Sequence, residues 1–341
     1  MAATANRGLS SAVHAMRALP SWRHALIAAA STSGCLLTTD FNGLAGQTAG
    51  EDAGSEAPVD GAPFLESGAN DSAIDASRRC DPDSPFNPSA PLANVNTAAN
   101  EGGPRLSPDE LTMYFESERP GGVGKSDLYV ATRASLGAPF AKPTLLENQN
   151  HAGNEYTATA LPDGLTLACA SDRAGEFTIF LSKRTARGAP FGTPERASAL
   201  DANGNEAHPA FTLGGDALYF TSDRPGGAGG FDLYRADFGA GGVATPARLG
   251  ELAGPTDDIT PVVAADELTI IFSRGTATGH NLWKARRASR SAPWQAPRPM
   301  TDMPSGGDTF SGWMSPDACR LYVYARVSAG NLDIFVADRS R

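Results

Sequence analysis

The fold of this chain is decided by residues 107–130, which read SPDELTMYFESERPGGVGKSDLYV. Two short apolar runs, rich in aromatic and aliphatic residues, flank a polar segment with Pro and Gly, which is typical of two strands joined by a hairpin. Residues 212–235, TLGGDALYFTSDRPGGAGGFDLYR, repeat this pattern. The chain therefore contains an internal repeat, the sequence sign of a propeller, a solenoid or an array.

Two landmarks give this repeat the same period through most of the chain. The end of the first strand recurs with spacings of 54, 51, 52 and 51 residues, at Phe115, Cys169, Phe220, Phe272 and Val323. The aromatic residue of the second strand recurs at Tyr129, Phe180, Tyr234, Trp283 and Phe335. Because both landmarks keep step, the sequence predicts five repeats of about 51 residues.

Two further landmarks complete the repeat. An acid precedes each strand pair, at Glu101, Glu155, Glu206, Asp258 and Asp308. An aromatic residue follows Pro at Phe140, Phe191 and Trp294, with Val243 in its place in the third repeat. Four short strands per repeat, divided by Gly and Pro, predict the blades of an all-β propeller.

The order of the landmarks also predicts how the ring closes. The Pro-aromatic landmark occurs once more at Phe86, ahead of the first full repeat, whereas the last repeat stops after its third strand. We therefore predict a five-bladed β-propeller of four-stranded antiparallel blades over residues 86–341. Residues 86–92 are expected to supply the missing outer strand of the last blade, which hides the open sheet edges.

Composition excludes several classes of protein. Gly (37) and Pro (25) make up about 18% of the 341 residues, which favours tight turns over a helical bundle. Lys and Arg number 28 against 38 Asp and Glu, for a net charge of −10, and no basic stripe alternates with aromatic residues. We therefore expect no nucleic-acid partner.

The N-terminal segment predicts export. Residues 1–35 place three Arg, a short apolar run and small residues in the order of a secretory signal, and the run is too short to span a bilayer. Ser33-Gly34-Cys35 resembles the lipobox of bacterial lipoproteins, although Thr32 stands where that family usually has Leu. The resemblance implies lipidation of Cys35, with ordinary secretion as the alternative. Because the segment is long for such a signal, we expect Met16 rather than Met1 to be the initiator.

Residues 36–85 are interpreted as an acidic, solvated linker. They hold ten acids against two bases, with Gly, Ala, Ser and Pro between them, and so bury too little apolar surface to fold alone. The predicted protein is a monomer that meets a membrane only through its lipid anchor. The expected location is the outer membrane, the periplasm or the cell surface.

The cysteines fit this arrangement. If Cys35 is lipidated, three remain, and Cys80 precedes the closing strand while Cys319 begins a strand of the last blade. In an exported protein we predict a Cys80–Cys319 disulfide and a free, buried Cys169, with three free thiols as the alternative.

The repeat unit resembles the TolB-type β-propeller repeat, in which a Ser-Pro-Asp-Gly turn precedes a strand, a Ser-Asp-Arg hairpin and a second strand. The matching segments over residues 86–341 are Ser107-Pro108-Asp109, Pro162-Asp163-Gly164 and Ser315-Pro316-Asp317 for the turn, and Glu118-Arg119, Asp172-Arg173 and Asp223-Arg224 for the hairpin. Repeats four and five depart from it, with Arg274 and Arg326 in shorter hairpins that lack the acid. The resemblance implies a propeller but no particular activity.

The five repeated acids are expected near one mouth of the propeller channel. They could form a funnel for a cation or a sugar, and five-bladed glycosidases of the arabinanase type use carboxylates at that place. They could instead fasten each blade by accepting backbone N–H bonds. Repetition favours the fastening, because a catalytic pair needs two distinct environments. Asp258 and Asp308 are the first pair to test if the sites are catalytic.

Positions where the repeats differ are the better candidates for ligand binding. They are Asp257, His280, Phe310 and Trp313. The aromatic rings of Phe310 and Trp313 could stack on a sugar or pack in a wide core. His151, His208 and His280 occur singly, without the spacing of a metal site, and no nucleophile or phosphate-binding motif is present. We expect no metal and no cofactor.

The leading hypothesis is a non-enzymatic exported lipoprotein whose propeller binds an envelope protein or a surface glycan. The alternatives are a glycoside hydrolase using two of the channel carboxylates, and a purely structural envelope component.

Overall fold

The computed structural model describes residues 80–81, 83–87, 90–303, 307–326 and 330–340. The predicted signal with Cys35, and residues 36–79 of the predicted linker, lie outside this part of the chain. Within it, helix is limited to a 3-10 turn at Ser198–Leu200. No described helix is long and apolar enough to cross a membrane.

The strands form five antiparallel sheets, one for each predicted repeat. The first blade has β2 (Glu101–Leu106), β3 (Thr112–Ser117), β4 (Asp127–Thr132) and β5 (Thr144–Leu145), and the second has β6 (Glu155–Ala160), β7 (Thr166–Ser171), β8 (Thr178–Lys183) and β9 (Glu195–Arg196). The third has β10 (Glu206–Phe211), β11 (Ala217–Ser222), β12 (Asp232–Gly239), a short β13 (Gly242–Val243) and β14 (Ala247–Arg248). The fourth has β15 (Asp258–Val263), β16 (Thr269–Thr276), β17 (Gly279–Arg286) and β18 (Arg298–Pro299). The fifth has β19 (Thr309–Met314), β20 (Arg320–Arg326), β21 (Leu332–Asp338) and, from the other end of the chain, β1 (Ala90–Pro91).

The sheets are arranged as a ring. The first strands of successive blades contact one another, β2 with β6, β6 with β10, β10 with β15, β15 with β19, and β19 with β2. Apolar clusters fill the spaces between neighbouring blades, such as the one that joins Tyr114 and Leu128 of the first blade to Leu167 and Phe191 of the second. The predicted five-bladed β-propeller is therefore confirmed.

The two sequence landmarks are direct cross-strand partners. Phe115 pairs with Tyr129, Cys169 with Phe180, Phe220 with Tyr234, Phe272 with Trp283, and Val323 with Phe335. Side chains opposite each other in an antiparallel pair pack against each other. The two landmarks therefore occur together in every blade, and both recur with the same spacing.

Each first strand also carries a β-bulge near its middle, where its register against the second strand shifts. At three of these bulges the residue is non-glycine with positive φ: Thr157 (44°), His208 (52°) and Thr260 (54°). A bulge increases local twist and re-aims side chains. The five bulges lie on the strands that surround the ring axis.

The ring closes as predicted. In β1, Ala90 pairs with Val336 and Pro91 with Phe335, and Phe86 forms an isolated bridge with Arg339. Cys80 is disulfide-bonded to Cys319, with 5.5 Å between their Cα atoms, and Cys169 is free and buried. Contacts with the last blade begin at Cys80, since the Asp81 N–H donates to the Ser340 carbonyl at 3.1 Å.

Phe86 occupies the place that the Pro-aromatic landmark has in the other blades. In each case an arginine from the end of the third strand stacks on the ring, with the guanidinium carbon 4.2–4.6 Å from the ring centre: Arg133 on Phe140, Arg184 on Phe191, Arg287 on Trp294 and Arg339 on Phe86. The third blade has Phe238 in place of the arginine and β13 in place of the aromatic, with β14 as its outer strand. The closing segment therefore reproduces the blade's own packing.

Candidate functional site

The five repeated acids, which were expected at one mouth of the channel, are buried and form hydrogen bonds or ion pairs within the ring. In the first blade, Glu101 accepts hydrogen bonds from the Thr97 N–H (2.7 Å), the Ser117 hydroxyl (2.7 Å) and the Arg119 guanidinium (3.3 Å). Arg119 also donates to the Val95 carbonyl at 2.7 Å. One acid and one arginine thus hold the segment that leads into the blade.

The second and third blades repeat this network with the same spacing. Glu155 accepts from Ser171 at 2.9 Å and Arg173 at 3.4 Å, and Glu206 accepts from Ser222 at 3.0 Å and Arg224 at 3.2 Å. The hairpin acid has its own partner, since Asp172 and Asp223 each accept from the backbone and side chain of the Asn that precedes the blade, Asn154 and Asn205. The Ser-Asp-Arg hairpin is therefore a fastening for its own blade.

The fourth blade reaches the same result with different residues. Arg274 takes the strand position that Ser117 has in the first blade and donates to Asp258 at 2.6 Å and 3.0 Å. The Gly254 N–H completes the contacts of this carboxylate at 2.8 Å. Because the arginine comes from the strand itself, the shorter Asp side chain reaches it.

Asp308 differs from the sequence expectation. Thr309, not Asp308, pairs with the end of the second strand, as Glu101 does in the first blade, so Asp308 lies one register position earlier. The reason is one extra residue between this acid and the following turn. Asp308 approaches Arg326 at 3.6 Å and the Nδ1 atom of His280 at 3.2 Å.

The structure brings three predicted site residues together and separates the others. His280, Asp308 and Phe310 are in contact, with the His280 and Phe310 rings 4.9 Å apart. Phe310 is 2% exposed and His280 4%. Asp257 lies in another blade connection, where it accepts from the Phe231 N–H at 3.0 Å. The Phe310 ring therefore lies in the core rather than on a surface that a ligand could reach.

Trp313 is buried as well. It is 8% exposed and packs edge-to-face on Tyr322, with ring centres 6.0 Å apart. Its indole therefore packs beside its cross-strand partner Tyr322 on one face of the last blade, where it is buried.

Sequence reasoning missed a polar cluster at the ring axis. Arg105 is buried and donates to the carbonyls of Pro261 and Gly312, on the first strands of the fourth and fifth blades. Glu116 is buried beside the first bulge and accepts from the Thr157 N–H at 2.5 Å. The only signal was a charged residue inside an otherwise small or apolar strand.

Burial governs the protonation of this axial cluster. It raises the pKa of Glu116 to about 7 and lowers that of Arg105 to about 10. It also lowers the pKa of His208 to about 3, which leaves that imidazole neutral at pH 7, bonded to the Thr221 hydroxyl at 3.0 Å. A carboxyl group with a pKa near neutrality could act as a general acid, but Glu116 is only 8% exposed.

The described residues contain no group of three or more His, Cys, Asp or Glu side chains that could hold a metal ion. Burial raises the pKa of Asp258, and Arg274 opposes that rise. Asp258 and Asp308 each bind the arginine of their own blade. They do not face each other as two free carboxylates.

No protein-family model and no curated protein sequence matches this chain. Solved structures do resemble it. An α-L-arabinofuranosidase from Lactobacillus brevis is 12% identical, with 70% of this chain and 90% of that chain covered and a TM-score of 0.51. A GH43_1 enzyme from Xanthomonas citri is 15% identical, with 73% and 89% covered and a TM-score of 0.50. A putative TolB from Agrobacterium tumefaciens is 19% identical, with 72% and 79% covered and a TM-score of 0.45. At these identities, the likeness to the first two structures shows the fold alone.

Proposed function

We propose that this protein is a non-enzymatic, exported lipoprotein whose propeller serves as a rigid binding scaffold at the cell envelope, for another envelope protein or a surface glycan. The observation that carries the proposal is that the five repeated acids bind arginines and backbone N–H groups of their own blades. A glycosidase needs one carboxyl group to donate a proton and a second to act as base or nucleophile. Carboxylates engaged as fastenings are poorly placed for either role.

The disulfide supports export. Structural disulfides persist in oxidising compartments and are rare in the bacterial cytosol. Here the bond joins the N-terminal closing segment to the last blade across 239 residues of sequence. It would protect the ring where its two chain ends meet, and the lipobox-like Ser33-Gly34-Cys35 would tether it.

Anchoring is tested by Cys35→Ala in the native host. We expect the variant protein to move from the membrane fraction to the soluble envelope fraction. Cys169→Ala is the matched control, because Cys169 is the free cysteine of the described propeller. Retention of Cys35→Ala in the membrane would contradict the lipid anchor.

Binding is tested by affinity capture from solubilised envelope, with a glycan array alongside.

A glycoside hydrolase is the second candidate. The observation that favours it is the buried carboxyl group of Glu116, whose pKa is raised to about 7 as a general acid requires. Hydrolysis of an arabinan or xylan that is lost in a folded Glu116→Gln variant, and in folded Asp258→Asn or Asp308→Asn variants, would establish it over the scaffold.

A further inference from the structure

At two blade interfaces a glutamate bridges the neighbouring blades at the same place. The place is the A–B turn, between the first and second strands of a blade. In the first blade, Glu110 has a φ of 59° and accepts from Arg133 of its own blade at 3.3 Å. From the fifth blade, Arg320 donates to the same oxygen at 2.9 Å and the Tyr322 hydroxyl at 3.5 Å. Glu110 is 2% exposed.

The interface between the third and fourth blades has the same design. Glu267 has a φ of 58° and accepts from Arg287 at 3.4 Å, and Arg290 approaches its other oxygen at 3.3 Å. The Tyr219 hydroxyl of the third blade donates to Glu267 at 3.4 Å. Turn glutamate, strand arginine and tyrosine of the preceding blade thus recur as a unit.

The interface between the first and second blades has the arginine and the tyrosine but not the glutamate. Gly164 stands at the turn position, with a φ of 72°. Arg184 donates its Nε–H to the Gly164 carbonyl at 2.6 Å, as Arg133 does to Glu110 at 2.8 Å, and its Nη2 to the Tyr114 hydroxyl at 3.4 Å. Among the described residues, no carboxylate lies within ion-pair distance of Arg184.

Gly164 lines an open cleft of about 350 Å³. Its lining includes Arg184, Arg187 and Tyr114, together with apolar atoms of Val130, Leu161 and Pro190. Arg187 is held by the Pro162 and Asp163 carbonyls at 2.9 and 3.0 Å, and is 61% exposed. Two arginines are thus held by backbone carbonyls beside a cleft whose turn position carries no glutamate side chain.

We propose that this cleft binds a carboxylate side chain of a partner protein, which takes the place that Glu110 and Glu267 fill at the other two interfaces. A peptide is favoured over an acidic sugar, because the precedent within the molecule is a glutamate and the cleft shows no open aromatic face. Phe191 is 1% exposed beneath Arg184, and Tyr114 is 4% exposed. The inference rests on the proposed binding function, for which it supplies the chemistry of the partner.

The lining also limits the sequence of the partner segment. Asp109 lies 3.9 Å from Arg187, and Glu147 is a second acid on the wall of the cleft. A run of acids would be repelled by these two groups. The expected ligand is therefore one glutamate flanked by small uncharged residues.

The test measures binding of the peptide acetyl-Ala-Ala-Glu-Ala-Ala-amide to the full chain by ligand-observed NMR. The same peptide with Gln in place of Glu is the ligand control. The decisive variant is Gly164→Glu, which supplies the carboxylate from within. Positive φ is no obstacle, since Glu110 and Glu267 adopt it. An added Cβ would meet Arg184 Nη2 and Arg187 Cγ, both at 3.3 Å, and both belong to long side chains that can shift by a few tenths of an ångström. Ala318→Glu is the matched control, at the equivalent turn of the fifth blade, where φ is 57°.

We expect the Glu peptide to bind about tenfold tighter than the Gln peptide, as for a hydrogen bond to a charged group. Gly164→Glu should weaken its binding about tenfold, and Ala318→Glu should leave it unchanged. Equal binding of the two peptides, or unchanged binding to Gly164→Glu, overturns the proposal. Tighter binding of a galacturonate oligomer at the same site would overturn the peptide assignment in favour of a glycan. Loss of the cleft site would leave membrane anchoring by Cys35 intact, so the two proposals fail separately.

Discussion

Removing the Cys80–Cys319 disulfide tests whether the ring depends on its closure. The bond spans 239 residues, so the chain-entropy model gives a loss of about 5 kcal/mol when it is removed. The non-covalent closure remains: the Asn87 N–H still donates to the Asp338 carbonyl at 2.8 Å, and the Leu92 N–H to the Ile334 carbonyl at 2.9 Å. The Cys80→Ser/Cys319→Ser variant should therefore fold to the same ring, with lower stability.

Urea unfolding followed by circular dichroism measures this loss. With a denaturant dependence of about 3 kcal/mol per molar for a domain of this size, the midpoint should fall by about 1.7 M. Wild-type protein under reducing conditions should behave like the double variant, and the variant itself should ignore the reductant. Hydrogen exchange should show the fifth blade opening first, since that blade combines the first and last strands of the ring. A midpoint shift below about 0.3 M would refute the reasoning, because the closing strand would then hold without the bond.

Three further changes test the fastenings, the axis and the closing strand. Asp258→Asn should cost about 3 kcal/mol in urea unfolding, because it leaves Arg274 without its buried counter-charge, and an unchanged midpoint would contradict the fastening role. Glu116→Gln should become more stable relative to wild type as pH rises. Burial raises the pKa of Glu116 from 4.5 to about 7. Between those pH values the folded wild-type protein binds more protons than the unfolded protein does. The wild-type protein therefore loses stability as the pH rises through this range. The free energy of unfolding of Glu116→Gln, relative to wild type, should rise by about 3 kcal/mol between pH 4 and pH 8. A difference that does not vary with pH would count against this. Phe86→Ala should lose about 3–5 kcal/mol, because the ring is 4% exposed, whereas Leu136→Ala, at a site 41% exposed, should change stability by less than about 0.5 kcal/mol.

The fold was predictable because its signals are local pairs repeated many times. Phe115 and Tyr129 are opposite each other in adjacent strands, so each copy of the repeat preserves both. The closure was predictable for the same reason, since Phe86 keeps the neighbours of the landmark it copies, including the stacked Arg339. Spacing alone located the ends of the ring.

The site was harder to predict because spacing does not report register. Asp308 fits the count of the other acids, yet the pairing of Thr309 shows that one inserted residue displaced it. The axial cluster was invisible for a different reason. Glu116 pairs with Gly102 near the bulge, and the corresponding residue of the second blade is Ala170, so no pattern marks the position.

Differences between copies are informative only when the structure shows what each copy does. Phe310 and Trp313 differ from their counterparts in other blades, but both are buried, so the difference is a matter of packing. Gly164 differs in another way. It removes one member of a charged unit while Arg184 keeps its place on the turn carbonyl. The arginine is retained because it also stacks on Phe191, with its guanidinium carbon 4.2 Å from the ring centre, as Arg339 stacks on Phe86 in the fifth blade. Retention alone therefore does not identify a ligand, and the case for an external carboxylate depends on the cleft beside Arg184 and Arg187.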